Sequence, residues 1–145
     1  MDLVGADLFV GTRADAADSQ RLETHDITTV VSLTHEAPEL SAQAIDLHSI
    51  PLIDGPQNSR EQFTKAVKET VTALTDGERA LVHCAAGASR SPTVAATALA
   101  LVQERDLEDA IQQVADNRDV VDPHEALLRQ AAHVYTQLTD SSSLN

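Results

Sequence analysis

One stretch of the 145-residue chain gathers residue types that do nucleophilic chemistry on an anion: His83, Cys84, Ala85, Ala86, Gly87, Ala88, Ser89, Arg90 and Ser91. Cys84 is the only cysteine, which excludes an internal disulfide framework and any cysteine-based zinc cluster, so its role is that of a thiol. The small residues from Ala85 to Ser89 let the backbone curl with successive N–H groups aimed inward at an anion. A following helix adds the positive end of its dipole, and Arg90 can present a planar fork to two phosphate oxygens. The same electropositive nest favours the thiolate of Cys84, which is the nucleophilic form. Ser91 can donate a hydrogen bond to the sulfur when it leaves. His83 is expected to hydrogen-bond the backbone and fix the loop rather than act as a base. The chemistry implied is displacement at phosphorus.

A thiolate that displaces an alkoxide or phenoxide needs a proton donor for the leaving oxygen and later a base for the hydrolytic water. One carboxyl can do both, and Asp54 is the candidate. It follows the apolar segment IPLI and stands beside Gly55 and Pro56, on a loop at a strand end. The competing reading is a turn residue, since Asp-Gly-Pro is ordinary turn chemistry. Asp46 falls inside an alternating strand and Asp76 lies before the nucleophile's strand, at its far end, so both would point away. The remaining histidines, His25, His35, His48, His124 and His133, show no metal-ligand spacing and read as solvated. No metal or cofactor is implied, because Arg90 and backbone amides supply the charge stabilisation that a divalent ion supplies elsewhere.

These residues need elements to hold them. Aliphatic and β-branched runs predict strands at Leu8 to Val10, Thr28 to Leu33, Ile45 to Ile53 and Ala80 to His83. Phe63, Ala66, Val67, Thr70, Val71 and Leu74 recur at helical spacing, and Ser59 with Gln62 forms a capping-box start. A small-residue helix from about Ser91 to Gln103 is expected to be buried. Another, capped by Asp106, carries Leu107, Ala110, Ile111 and Val114. A last one, with Asp122 as N-cap and Pro123 in its first turn, carries Leu127, Ala131, Val134 and Leu138. A weaker helix spans Ala14 to Thr24, and the serine-rich tail over 140–145 should fray. Strands alternating with helices predict a single α/β domain over 1–139 around a four- or five-stranded, mostly parallel sheet. Ligands in such folds bind at the carboxyl ends of the strands, which is where Cys84 falls.

The run HCAAGASRSPT resembles the signature of the cysteine-dependent protein tyrosine phosphatase superfamily, in its dual-specificity branch, where a Gly-x-Ser-Arg-Ser ending is typical. DLFVGT from Asp7 and ITTVVSL from Ile27 resemble that branch's opening strands. Ile50 to Asp54 resembles its acid-bearing segment, and Arg118 to His124 its late loop. His25 and Asp26 replace a usual glycine, and His124 stands where asparagine commonly follows proline. The resemblance implies hydrolysis of phosphomonoesters through a phosphocysteine on Cys84, with phosphotyrosine favoured over phosphoserine and phosphothreonine. It also implies an acid at a separation similar to that of Asp54. The absence of lysine from the loop speaks against multiply phosphorylated substrates, and favours a phosphorylated protein or a small phosphomonoester. A rhodanese-type sulfurtransferase also uses a cysteine in a short anion loop but needs no acid at Asp54, and the Arg90-Ser91 ending fits it poorly. A non-catalytic phospho-binding module usually lacks the nucleophile or the acid.

Composition bounds the rest. Fourteen Asp and nine Glu face eight Arg and two Lys, for a net charge of −13. With no basic run and three aromatics, Phe9, Phe63 and Tyr135, nucleic-acid binding is disfavoured, as is an anionic membrane surface. No apolar stretch approaches the roughly 18–20 residues that span a bilayer, and the expectation is a cytoplasmic protein. The oligomeric state is not legible. The Asp-rich, Lys-poor balance resembles that of proteins from a salt-loaded cytoplasm.

Overall fold

In the computed structural model, residues 1–36, 45–53, 55, 57 and 59–143 are described, with side chains to 139. Five strands form one sheet: β1 (Asp2–Gly5), β2 (Leu8–Gly11), β3 (Thr29–Ser32), β4 (Asp46–Ser49) and β5 (Ala80–His83), in the order β1-β2-β5-β3-β4. Only the β1–β2 pair is antiparallel; β2, β3 and β4 lie parallel to β5 or to one another. The predicted mostly parallel sheet is thus present with its upper strand count. β1 is the strand that the sequence patterning does not show. Its turn places Ala6 and Asp7 at φ of 48° and 64°, a left-handed pair usually served by Asn-Gly.

Alternation along the strands divides the core in two. Leu8, Val10, Val31, Ala80 and Val82 enter the larger cluster, whereas Phe9, Val30 and Leu81 enter the smaller one on the other face. Two short helices, α1 (Arg13–Ala17) and α2 (Ser19–Thr24), cover that smaller face with Ala16 and Leu22. They replace the single helix expected over Ala14 to Thr24. The break falls at Asp18, whose extended backbone ends α1 while its carboxylate caps α2.

The larger face is covered by α3 (Arg60–Thr75), α4 (Arg90–Val102), α5 (Leu107–Asn117) and α6 (Glu125–Ser143). α3 buries Phe63, Ala66, Val67, Thr70 and Ala73 and is capped by Ser59, whose hydroxyl accepts from the Gln62 amide. Burial of the Phe63 side chain alone contributes about 2–3 kcal/mol. α4 is buried from Ser91 to Ala100, as its small-residue composition predicts. Asp106 occupies the N-cap of α5 without a side-chain cap bond.

α6 departs from expectation at both ends. Its N-terminal turn is closed by His124, whose Nδ1 accepts from the Ala126 amide at 3.0 Å, rather than by Asp122. The Asp122 amide is used elsewhere, on the Ala88 carbonyl at 2.7 Å. The helix then runs through Asp140 to Ser143, beyond the point where serine-rich composition predicts fraying, since extending an existing helix costs little per residue. Among the described residues, no helix is long and apolar enough to cross a membrane.

Candidate active site

β5 is the middle strand, and its carboxyl end is level with its neighbours': His83 pairs in register with Gly11 of β2 and with Ser32 of β3. The chain leaves β5 at Cys84, makes the loop over residues 84–89, and enters α4 at Arg90. Small loop residues matter most at Gly87. It is buried with φ +67°, and a Cβ there would sit 2.4 Å from Arg118 Nη2 and 2.8 Å from the Gly11 carbonyl.

Five successive loop carbonyls are each bound from outside the loop. The Ala85 carbonyl accepts from the Arg13 amide at 3.3 Å and that of Ala88 from the Asp122 amide at 2.7 Å. The Gly87 carbonyl accepts from Arg118 Nε at 2.8 Å, and that of Ala86 lies 3.5 Å from Arg118 Nη2. The Ser89 carbonyl accepts from Thr93, from both amide and hydroxyl. In trans peptides the carbonyl of one residue opposes the N–H of the next. Turning the carbonyls outward therefore turns the amides of the same peptides inward, which is the concave arrangement that binds an anion.

Inside this cup lies the Cys84 sulfur, with the residue only 2% exposed. The Ser91 hydroxyl is 3.1 Å from the sulfur, and the Ser91 amide donates to it at 3.4 Å. Arg90 donates from Nη1 to the Leu52 carbonyl at 3.0 Å, with the Leu33 carbonyl at 3.5 Å. Those carbonyls lie just past β4 and β3, so the ends of both strands orient the guanidinium. Among the sequence-predicted residues, the structure brings together Cys84, Arg90, Ser91 and the loop from Ala85 to Ser89. Asp54 lies outside the described residues.

The His83 ring is fully buried; among the described residues no partner meets normal hydrogen-bond geometry at Nδ1 or Nε2, and the polar group that acts on the ring is the Cys84 backbone. Burial drives its pKa down from 6.5 to about 4; a polar contact with the Cys84 backbone pulls the other way, and Arg13 and Arg90 push it further down. His83 is therefore a neutral ring at neutral pH, filling space beneath the loop. Three of the histidines read as solvated are partly or fully exposed and also make polar contacts: His25 Nδ1 meets the Arg21 carbonyl at 2.9 Å, His48 meets Glu69 at 3.3 Å, and His124 caps α6 while its amide donates to Ser89 Oγ at 2.8 Å.

The residue that composition and spacing do not flag is Arg118. Its side chain, 9% exposed, also holds Asp2 at 2.8 Å and the Val10 carbonyl at 3.3 Å. It buckles β1, β2 and the loop together from behind. The one visible signal is a lone arginine in the late loop that the family resemblance covers.

The family model "Dual specificity phosphatase, catalytic domain" matches residues 8–137. This chain belongs to the dual specificity phosphatase family. Dual specificity protein phosphatase 22 of Homo sapiens is 31% identical over 124 residues, covering 85% of this chain and 67% of the relative. A crystal structure of a mouse putative dual specificity phosphatase complexed with zinc tungstate superimposes with a TM-score of 0.88 at 25% identity, covering 97% of this chain and 89% of that one. Human DUSP28 superimposes with the same TM-score at 22% identity, covering 97% and 99%. The chain is a cysteine-dependent phosphatase of the dual-specificity type, and the shared fold brings the loop after β5 to the edge where the geometry above assembles a thiol inside an anion cup.

Proposed function

We propose that this phosphatase hydrolyses single phosphoryl groups on protein side chains, phosphotyrosine before phosphoserine and phosphothreonine, with Cys84 as nucleophile. The observation that carries the reading is the cup itself: carbonyls 85–89 tied outward around a buried sulfur that Ser91 contacts at 3.1 Å. Tungstate, named in the mouse relative's complex, is a tetrahedral oxyanion of the kind such a cup suits.

In the first step the Cys84 thiolate attacks phosphorus, the S–P bond forms and the ester P–O bond breaks. Asp54 gives its proton to the departing oxygen. The amides of the loop and the Arg90 fork hold the three equatorial oxygens as charge redistributes, which is the stabilisation a positioned cation and backbone dipoles provide. In the second step water attacks phosphorus, Asp54 takes a water proton, and the S–P bond breaks to return the thiolate. A thiolate carries no proton, so in that state the Ser91 hydroxyl must be the donor to sulfur. The assignment of Asp54 is supported by its neighbour two residues earlier, Leu52, whose carbonyl is bound to Arg90. The reading places the enzyme in the cytoplasm and asks for no metal.

The sulfurtransferase reading is not favoured: an acid at Asp54 has a task in phosphoryl transfer and none in persulfide transfer, and the Arg90-Ser91 ending fits it poorly. Turnover of an aryl phosphate in EDTA, compared across wild type, Cys84→Ser and Asp54→Ala, tests the proposal. We expect wild-type activity to survive chelation, Cys84→Ser to lose about 10³-fold or more, and Asp54→Ala to lose about 10²-fold. Loss on chelation, or an active Cys84→Ser enzyme, would overturn it.

A further inference from the structure

Seven of the chain's ten Lys and Arg side chains are committed. Arg13, Arg21, Arg79, Arg118 and Arg129 are each ion-paired. Arg90 and Arg105 donate to the Leu52 carbonyl and to Gln113. The other three, Arg60, Lys65 and Lys68, have no ion-pair or hydrogen-bond partner among the described residues. All three line one open cavity of about 650 Å³ between α3 and α6, and they include both lysines of the chain. A second cavity of about 580 Å³ continues it past His133 and shares Arg60 and Gln137 with it. Of the two carboxylates lining the first cavity, Glu61 and Glu69, the latter is engaged by His48 at 3.3 Å. In a molecule of net charge −13, this groove carries three cations against two carboxylates.

We propose that this groove docks an acidic segment of the phosphorylated polypeptide substrate. Unpaired cations in a concave wall strengthen their pull on a partner's carboxylates by partial exclusion of water. The net charge of −13 on the molecule disfavours a partner longer than the groove. A long polyanion or an anionic lipid plane would extend beyond the groove into repulsion, whereas a short run of Asp or Glu would not. The groove also points the right way. α3 begins at Arg60 where the segment from the end of β4 arrives, so its first turn lies at the sheet edge that carries the phosphate cup. From Arg60 to Glu69 the helix runs about 13 Å, which some four extended residues would span.

The proposal rests on the phosphatase reading for its substrate, but its first test does not. Fluorescence anisotropy at low ionic strength measures binding of an unphosphorylated Glu-rich peptide to wild type and to Lys65→Glu/Lys68→Glu, with phosphatidylserine vesicles as a second probe. Wild type should bind the peptide, and the double variant should bind at least about tenfold more weakly. The second test compares kcat/KM for a phosphopeptide bearing the Glu-rich tail, the same phosphopeptide with a Ser-Gly tail, and an aryl phosphate. The double variant should lose about tenfold, through KM, on the acidic-tailed substrate alone. Equal peptide binding by both proteins, vesicle binding without peptide binding, or an equal loss on all three substrates would each overturn the docking site. Failure to hydrolyse the aryl phosphate would instead defeat the phosphatase reading, with the anisotropy comparison still deciding the groove.

Discussion

The sulfur of Cys84 and the ring of His83 are adjacent in sequence and opposite in environment. Cys84 faces a cup of inward amides with Ser91 beside it, whereas the His83 ring is enclosed, with no hydrogen bond of normal geometry at either nitrogen among the described residues. Burial favours the neutral ring, so its folded pKa of about 4 lies below the ordinary 6.5. Above pH 6.5 both folded and unfolded chains carry a neutral ring and no stability depends on it. As pH falls from 6.5 toward 4 the unfolded chain takes the proton and the folded chain does not, so stability falls, by about 3 kcal/mol at the lower end. Urea unfolding at pH 7 and pH 4.5 should show that loss in wild type and a much shallower one in His83→Leu. A wild-type stability flat across that range would contradict the burial argument.

At the level of elements, a single arginine outside the signature run holds the back of the phosphate loop. Arg118 supplies donors to Gly87, Ala86, Val10 and Asp2 at once, a task for a planar guanidinium that lysine cannot repeat. Arg118→Ala and Arg118→Lys should both lower kcat/KM for an aryl phosphate about 10- to 100-fold and weaken vanadate inhibition in parallel. The alanine variant should also lose about 2–3 kcal/mol of stability. Unchanged vanadate affinity would show that the loop keeps its shape without the buckle. What composition and spacing show, and what they hide, follows from locality. β5, α3 and the Cys84-to-Ser91 run are legible because their patterns are local: a short aliphatic strand, a helical period with a serine cap, and a one-loop motif. β1 is hidden because its turn uses Ala6 and Asp7 in left-handed conformations. The break at Asp18 is hidden because one residue both ends α1 and starts α2. The tasks of Arg118, and the bond from the His124 amide to Ser89, are hidden because the partners lie 31 to 116 residues away in one case and 35 in the other.

For the whole molecule the charge of −13 sets the solvent in which the site works best. Long-range repulsion opposes a dianionic substrate, and self-repulsion opposes the compact state. The Debye length shortens from about 10 Å at 0.1 M to about 3 Å at 1 M salt. Both kcat/KM for an aryl phosphate and the midpoint of thermal unfolding should therefore rise as KCl goes from low to molar concentration; a steady fall of both would defeat this reading. The central claim is that the phosphoryl group passes through Cys84. Mass spectrometry of enzyme acid-quenched during aryl phosphate turnover tests it most directly, with Asp54→Ala used to slow the intermediate's hydrolysis. The account predicts one phosphoryl adduct on the Cys84 peptide, absent in Cys84→Ser. Turnover that continues with no adduct on Cys84, or with the adduct on another residue, would contradict it.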